Sequence, residues 1–588
     1  MKVTGRVLVL FALIAAACAE FKLMVLHNND MHGRFEETER NSGTCKVQHR
    51  NISCVGGFAR TAYEVRRYRK LAEEGQGPEV LFLNAGDTFV GTVWYSLFTY
   101  NISAEFINVL NPDAICLGNH EFDNGVAGLA PFVEAVTSPI VAANMDFSNE
   151  PSLQKVQSSV VISKGGVDIG IIGHLTQETK KISIPGKNVI FKDEVESVKN
   201  ESERLDKLGV KIIIVLGHSG YLMDQRIAAE VPLVDVVVGG HTNTFLWNGQ
   251  QPDTETIEDL YPKVVTQESG KKVPVVQAYA YTKYLGRLNL TFDDNGDLTY
   301  FAGQPELLDS SVPQEEDVLQ LLEKYRPQID ALNSEVVGKS KVILDGDSIR
   351  CRHEECNFGN LIADAFVMYK ASVSPETWTS APIGLYNGGG IRTTIEPLDT
   401  GEITRGELLA AVPFGSTLLT VTLNGSDLIK TLEIGARSNG ETSAGEFLQV
   451  SGLKVVYNMS QPALSRVVSV KARCGVCTIP TYEEVDPSAN YTIITTSFLA
   501  MDGGDGHYVL TEHSFNRVNE DLNDVDTVAW YISQYSPVYP EVQGRIGFVV
   551  GSGSDSGDDG SPGFAPRTRP SGYIVYVLLI IGLYNYLL

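Results

Sequence analysis

Basic residues are few relative to acidic ones in this chain, and this deficit excludes one broad class of function. The 588 residues include 47 Lys and Arg against 72 Asp and Glu, which gives a formal net charge of -25. A protein that binds a nucleic-acid polymer needs a basic surface that releases counterions. We therefore expect no nucleic-acid polymer as a partner. A small anionic substrate stays compatible with the sequence, because metals or a few arginines can supply local positive charge.

Cysteine is also scarce, with eight in the chain. Cys18 falls in the leader described below, and Cys116, inside an apolar run, is expected to be a buried free thiol. The other six form close pairs, which in an oxidising compartment indicate local disulfides. The CGVC motif of the third pair has no second CxxC to complete a zinc site and no thioredoxin-like context. The predicted disulfides are Cys45 with Cys54, Cys351 with Cys356, and Cys474 with Cys477.

The amino terminus carries a targeting signal. Lys2 and Arg6 precede an apolar run over residues 7–17, and ACA at 17–19 is a small-residue cleavage site. This pattern predicts a secretory signal peptide over residues 1–19. An exported chain can be glycosylated at N-x-S/T sequences. The predicted glycosylation sites are Asn51, Asn101, Asn200, Asn289, Asn424, Asn458 and Asn490.

The carboxyl terminus, residues 550–588, carries a second signal. A small, polar linker leads into the apolar segment YIVYVLLIIGLYNYLL at 573–588, which runs to the last residue with no basic flank after it. Small residues, a polar spacer and a terminal apolar tail predict attachment of a glycosylphosphatidylinositol anchor near residues 551–554. An ordinary single-span tail anchor is the alternative. We therefore expect a protein on the outer cell surface that is joined to the membrane by a lipid and can also be released.

The chain is too long for one hydrophobic core, and typical domain sizes predict roughly two to four domains. Residues 20–312 alternate apolar runs with amphipathic segments, which indicates a layered α/β domain. Residues 313–336 have helical spacing and predict a connector in which Pro327 ends or kinks the first part. Residues 337–549, with glycine-rich loops at 387–392 and 502–506, predict a second α/β domain.

Five apolar runs in the first domain end in the same way. Each has the length of a buried strand and gives way to a glycine or asparagine turn that carries Asp, Asn or His. The carboxyl ends of strands are where ligands bind in layered α/β sheets, so the five turns are expected to converge on one site. Imidazole and carboxylate ligands suit zinc, manganese or iron, and a shared carboxylate such as Asp87 can bridge two ions. The candidate ligands are Asp30, His32, Asp87, Asn119, His218 and His241.

The sequence GNHEFD adds a candidate proton donor. His120 follows the ligand Asn119 directly, and Asp123 can hold its ring in one tautomer and raise its basicity. Two metal ions can activate a water molecule, and His120 can donate a proton. Hydrolysis of a phosphate ester is the reaction that best matches this combination. His27 and His174 lie in similar settings, but a histidine after a strand is more often structural, and we assign neither a function.

The motifs DxH, GD, GNHEFDNG, GHSG and GGHTN, in this order, resemble the calcineurin-like metallophosphoesterase superfamily. The longer strings are similar to the 5'-nucleotidase family, which includes animal ecto-5'-nucleotidases and arthropod apyrases. The resemblance covers about residues 21–549. It implies a four-layer α/β/β/α metal domain, a carboxyl-terminal α/β substrate domain joined to it by a helix, and two metals, with zinc expected. It also assigns His120 and Asp123 to the family's catalytic dyad, and a homodimer is compatible with it because vertebrate surface relatives are dimers.

The resemblance further implies a set of nucleotide contacts in the second domain. Arginine suits phosphate, and two stacked aromatic rings can hold a purine base. Core packing is the alternative role for each phenylalanine. The loop FLAMDGGD is slightly longer than is usual in the family, so Asp502 competes with Asp505 for the ribose hydroxyls. The implied contacts are Arg352, Asn387, Arg392, Phe414, Phe498 and Asp505.

The function expected on these grounds is extracellular hydrolysis of nucleoside 5'-monophosphates, above all AMP, to nucleoside and phosphate. An apyrase that cuts ATP and ADP is the alternative within the same class, and HNNDMHGRFEE resembles arthropod apyrases. Salivary apyrases generally lack an anchor signal, which favours the monophosphatase. A non-catalytic nucleotide-binding surface protein is the alternative of another class, although it would have no need of a catalytic dyad.

Overall fold

The computed structural model describes residues 20–40, 42–50, 52–375, 377–397, 400–438 and 445–549. The predicted signal peptide, the anchor segment and the glycosylation site Asn51 lie outside these residues. In the described part of the chain, no helix is both long enough and apolar enough to cross a membrane.

Among its described residues, the first half of the chain contains fifteen strands and six α-helices. The strands are β1 (Phe21–Asn28), β2 (Glu79–Asn84), β3 (Ala114–Cys116), β4 (Ile140–Val141), β5 (Met145–Asp146), β6 (Ser159–Lys164), β7 (Val167–Leu175), β8 (Ile190–Phe191), β9 (Ile212–His218), β10 (Val236–Val238), β11 (Lys263–Thr266), β12 (Lys272–Val276), β13 (Tyr284–Phe292), β14 (Leu298–Gly303) and β15 (Glu306–Leu307). The helices are α1 (Phe58–Glu73), α2 (Val93–Leu110), α3 (Gly125–Ala135), α4 (Thr179–Ile182), α5 (Glu194–Lys207) and α6 (Tyr221–Glu230).

Two large sheets pack face to face in this half. The first has the order β14-β13-β1-β2-β3-β4, with β15 beside β13, and the second has the order β11-β12-β10-β9-β7-β6. Strand β1 shows why they pack: Leu23 and Val25 join the core that contains the second sheet, whereas Met24 and Leu26 join the core that contains α1 and α2. Successive side chains of a strand point to opposite faces, so a strand apolar at every position is buried on both. The predicted α/β/β/α layering is confirmed.

In the part of the second half that the structure describes, eleven strands and seven α-helices follow α7. The strands are β16 (Val336–Lys339), β17 (Ile383–Asn387), β18 (Glu402–Thr404), β19 (Thr417–Asn424), β20 (Leu448–Ser451), β21 (Leu453–Tyr457), β22 (Val467–Arg473), β23 (Tyr482–Glu484), β24 (Asn490–Thr496), β25 (Phe515–Asn523) and β26 (Ile546–Phe548). The helices are α8 (Ser348–Cys351), α9 (Asn357–Val373), α10 (Arg405–Ala411), α11 (Gly425–Gly435), α12 (Ser497–Ala500), α13 (Tyr508–His513) and α14 (Asp524–Tyr535). A five-stranded sheet of order β20-β17-β24-β19-β25 separates two cores, and β23-β22-β21-β26 form a smaller sheet.

Helix α7 (Glu316–Ser334) joins the two halves. It continues through Pro327, so the helix does not end there, which was one of the two predicted outcomes. Val318 and Leu322 before the proline and Ile329 after it are all buried in the core of α1 and α2. Packing on both sides of Pro327 therefore holds the helix together despite the hydrogen bond that a proline removes.

The cysteines behave as predicted. Disulfides join Cys45 to Cys54, Cys351 to Cys356 and Cys474 to Cys477, and Cys116 is a buried free thiol. Disulfides are typical of proteins that fold in an oxidising compartment, which agrees with an exported chain.

Candidate active site

The six candidate ligands lie at the carboxyl ends of five strands, where the two sheets of the first half meet. Each of the five apolar runs forms a strand, namely β1, β2, β3, β9 and β10. The turns after β1, β2 and β3 come from neighbouring parallel strands of the first sheet, and β9 and β10 are parallel neighbours in the second. Parallel strands end at one edge, so the turns are brought together as expected.

The ligand side chains form two overlapping groups that share Asp87. His32, Asp87 and His120 offer ligand atoms within 4.8 Å of one another, and so do Asp87, His218 and His241. Oδ2 of Asp87 lies 3.8 Å from Nε2 of His32 and 3.0 Å from Nε2 of His218. A carboxylate in this position can bridge two ions.

Asp30 and Asn119 lie on either side of these groups. Oδ1 of Asp30 is 3.8 Å from Nε2 of both His32 and His218. Oδ1 of Asn119 is 2.9 Å from Nδ1 of His241. The structure therefore brings together all six residues that the sequence analysis named.

The backbone at these ligands is held in an unusual conformation. Asp30, His32, Asp87 and His241 have φ of 51°, 48°, 53° and 78°, in the left-handed region that non-glycine residues seldom occupy. Such conformations persist only where surrounding contacts impose them, and they concentrate at functional sites. The backbone at Gly118 also lies very close to the side chain of Asp87. A Cβ at this position would be 2.1 Å from Oδ1 of Asp87, so a larger residue would displace this ligand.

The donor set fits divalent metal ions. Among the described residues, the buried atoms Oδ1 of Asp30 and Nε2 of His218 have no hydrogen-bond partner. The other polar atom of each side chain has a hydrogen-bond partner. Oδ2 of Asp30 accepts a bond of 2.8 Å from Asn29, and Nδ1 of His218 is 2.6 Å from the carbonyl oxygen of Ala85. Such outer bonds fix the tautomer and orientation of metal ligands and leave the inner lone pairs free.

The charges of the site support the same assignment. Burial raises the pKa of Asp30 to about 6. Burial would also raise the pKa of Asp87, but the surrounding histidines His218, His120 and His32 hold it well below its usual range. Buried carboxylates need compensating positive charge, which divalent cations supply most directly.

His120 and Asp123 form the predicted pair. Nδ1 of His120 lies 2.5 Å from Oδ2 of Asp123. Burial lowers the pKa of His120, but the charges of Asp123 and Asp87 outweigh burial and raise the pKa above its ordinary value. With Nδ1 directed to Asp123, the ring can present a proton at Nε2 to the space above Asp87.

Glu121 has a positioning role that the sequence analysis missed. Its carboxylate accepts four backbone N–H bonds, from Asp87 (3.0 Å), Thr88 (2.8 Å), Phe89 (3.1 Å) and Gly118 (2.6 Å). It thereby holds the turn after β2 against the turn after β3. Its place in GNHEFD is the only signal that could have marked it.

Arginines from both halves converge beside the metal ligands. Arg352 and Arg392 come from the second half, and burial together with the charge of Arg392 lowers the pKa of Arg352 to about 10. Arg34 of the first half is buried over the ring of Tyr281, 4.4 Å from its centroid, and burial lowers its pKa to about 10 as well. Positive charges that lie this close together favour the binding of an anionic ligand. Arg352 and Arg392 were predicted from the sequence, whereas Arg34 and Tyr281 were not.

The remaining predicted contacts lie in the second half of the chain. Nδ2 of Asn387 donates to Oδ2 of Asp505 at 2.6 Å, and Asp505 is buried whereas Asp502 is exposed. This favours Asp505 over Asp502 as the inward-facing carboxylate. Phe414 stacks on His120 with ring centroids 6.2 Å apart, and Phe498 packs against Gly504.

Two histidines that received no function are structural. His27 is fully buried with Nε2 2.8 Å from the hydroxyl of Tyr261, and Nδ1 of His174 lies 2.8 Å from the hydroxyl of Ser219. Of the described glycosylation sequences, Asn101, Asn200 and Asn490 are exposed. The other three are half-buried, and Asn424 caps α11.

The fold and this ligand set define a calcineurin-like phosphoesterase. The model of that family matches residues 23–245, and the model of the 5'-nucleotidase carboxyl-terminal domain matches residues 336–512. The chain belongs to the 5'-nucleotidase family.

Several relatives align over nearly the whole chain. It is 45% identical to Protein 5NUC of Lutzomyia longipalpis, covering 93% of this chain and 96% of that one, and 40% identical to the 5'-nucleotidase of Homo sapiens, covering 93% and 94%. The crystal structure of a 5'-nucleotidase precursor from Thermus thermophilus is similar with a TM-score of 0.80 and 35% identity, covering 90% of this chain and 99% of that one.

Proposed function

We propose that this protein hydrolyses nucleoside 5'-monophosphates, AMP above all, to nucleoside and phosphate outside the cell. One observation carries the proposal: Asp87 is shared by two groups of ligand-capable side chains, one of which includes His120 of the His120–Asp123 pair, and the arginines Arg352 and Arg392 lie near them. Bound divalent ions supply an activated water and stabilise charge at phosphorus. The names of the relatives support nucleotides as the substrate class.

The residues of the chain divide the remaining work. The arginines bind the phosphate, and Phe414, Phe498, Asn387 and Asp505 bind the nucleoside. Protonated His120 holds a proton at Nε2 where charge develops in the reaction, and Asp123, which accepts from Nδ1, orients the ring and stabilises its protonated form.

Phosphate release from AMP, ADP and ATP on the purified protein tests this proposal. We expect the largest kcat/KM with AMP. An apyrase would release phosphate from ATP and ADP and leave AMP, whereas a nucleotide-binding protein without activity would release none from any of the three. The variant His120→Ala is the matched control for contaminating phosphatases, because it should lose turnover and keep its metal.

Zinc is the metal we propose, since imidazole and carboxylate ligands suit it. Loading the metal-free protein with zinc, manganese or cobalt and comparing turnover identifies the ion. We also propose residues 20–312 as the metal domain, 313–336 as the connector and 337–549 as the nucleotide domain.

A lipid anchor within residues 550–588 is the proposed attachment to the cell surface. Release of activity from intact cells by a phosphatidylinositol-specific phospholipase would support it, and retention after that treatment would favour a spanning tail. We further propose glycans at the seven N-x-S/T sites, which mass analysis with and without glycosidase tests. We also propose a homodimer, which light scattering tests.

A further inference from the structure

Ser183 makes a hydrogen bond that the sequence analysis did not anticipate. Its hydroxyl donates to Oδ1 of Asp123 at 2.7 Å, while Oδ2 of the same carboxylate lies 2.5 Å from Nδ1 of His120. The two oxygens of Asp123 therefore have one partner each, on opposite sides. Ser183 is buried, with 4% of its surface exposed, so water does not readily replace its hydroxyl.

The backbone around Ser183 is fixed at both ends. The amide of Ser183 donates to the carbonyl of Thr179 and closes helix α4, and the amide of Ile184 donates to the carbonyl of Phe122, in the turn that carries His120. Helix α4 also lies against the turn Gly504–Gly506 of the second half, which carries Asp505. The hydroxyl is thus held between the proposed proton donor and the nucleotide-binding half.

We infer that Ser183 is a positioning residue that completes a Ser183–Asp123–His120 relay in this enzyme. Because one oxygen of Asp123 is held by Ser183, the carboxylate cannot rotate freely about its terminal bond, and the other oxygen stays directed at Nδ1 of His120. A fixed acceptor at Nδ1 keeps the imidazole ring in one orientation and stabilises its protonated form, which carries the proton at Nε2. The inference rests on the proposed hydrolytic function, in which His120 presents its proton at Nε2.

Removing the hydroxyl separates this role from a merely structural one. In Ser183→Ala we expect kcat to fall about tenfold, because loosely held catalytic groups lose rate steeply with small displacements. KM and bound metal should stay unchanged, since the hydroxyl of Ser183 donates to Asp123, which is neither a proposed metal ligand nor a phosphate-binding residue. Ser202→Ala is the matched control: its hydroxyl is also buried and donates to a carbonyl, that of Lys199 in α5, away from the cleft.

A double-mutant cycle supplies the decisive readout. If Ser183 acts through Asp123, then Ser183→Ala should cost about tenfold in the wild-type background and nothing further in Asp123→Asn, because residues that act as a unit are not additive. Equal losses in the two backgrounds, or a kcat unchanged by Ser183→Ala, would overturn the relay.

Turnover should be followed on AMP and on p-nitrophenyl phosphate in parallel. Hydrolysis of the aryl ester without hydrolysis of AMP would refute the proposed nucleotidase function and still test Ser183 on the ester. Absence of both activities in the wild-type protein would overturn the function and the relay together.

Discussion

Nε2 of His218 lies 3.0 Å from Oδ2 of Asp87, although one side chain ends a strand of the second sheet and the other follows a strand of the first. This contact joins the two sheets at the site. It also places Asp87 between His218 and His32, whose Nε2 is 3.8 Å from the same carboxylate oxygen, so Asp87 belongs to both ligand groups.

Asp87→Asn should therefore remove most of both bound metal ions. An amide is neutral and cannot bridge two cations as a carboxylate does, so the loss should exceed that of any variant outside the two groups. Metal content per chain, measured by elemental analysis of the dialysed protein, checks this. Asp123→Asn is the control, since it should lose turnover and keep the metal, and full metal content in Asp87→Asn would contradict the bridging role.

Removing the metal should lower both activity and thermal stability. Without cations, the buried carboxylates of Asp30 and Asp87 lose the positive charge that the ions add to that of the histidines, and a ligand that binds only the folded state stabilises that state. We expect a chelator to abolish phosphate release and to lower the unfolding temperature in scanning fluorimetry, with both restored by added zinc. Unchanged activity after exhaustive chelation and dialysis would argue against a metal-dependent reaction.

Glu121→Gln should lower both the stability of the protein and its affinity for metal, although it replaces no metal ligand. The amide group of glutamine would place a donor against backbone N–H groups that now point at a carboxylate oxygen. Leaving one or two such buried donors unsatisfied costs about 1–3 kcal/mol each. Urea unfolding and metal titration check both consequences. Glu196→Gln, at an exposed position of α5, is the control and should change neither stability nor metal affinity.

The sequence predicted well that the candidate ligands would lie together, because that information is local. Each ligand directly follows or ends an apolar run, and the carboxyl ends of parallel strands must meet, so Asp30, Asp87 and His241 could be grouped without coordinates. Ser183 and Arg34 could not, because their roles depend on contacts between segments far apart in the chain. Pro327 shows the opposite case. The local rule that a proline ends a helix fails there, because tertiary packing holds α7 together.

Phe498→Leu should weaken nucleotide binding much more than it slows chemistry. Stacking of a base on an aromatic ring contributes about 1–3 kcal/mol, which corresponds to a rise in KM of roughly fivefold to a hundredfold. The half-buried ring lies against Gly504, next to Asp505, so the substitution leaves the metal ligands in place. Steady-state kinetics with AMP measure the effect. Phe515→Leu, an exposed phenylalanine of β25, should leave KM unchanged. An equal change in KM in the two variants would show that Phe498 does not contact the base.

Asp524 should make the protein less stable as the pH rises from about 4 to about 7. Burial raises its pKa from 3.8 to about 7, so in this interval the unfolded chain has lost the proton that the folded chain still holds. Unfolding therefore releases a proton and becomes more favourable with rising pH, by up to about 4 kcal/mol if no other group responds. Asp524→Asn removes this contribution, so its stability relative to the wild-type protein should be greater at pH 8 than at pH 4.5. Chemical unfolding at both pH values measures the difference, with the exposed Asp521→Asn as control. A relative stability of Asp524→Asn that is the same at the two pH values would show that the Asp524 carboxyl ionises normally in the folded protein.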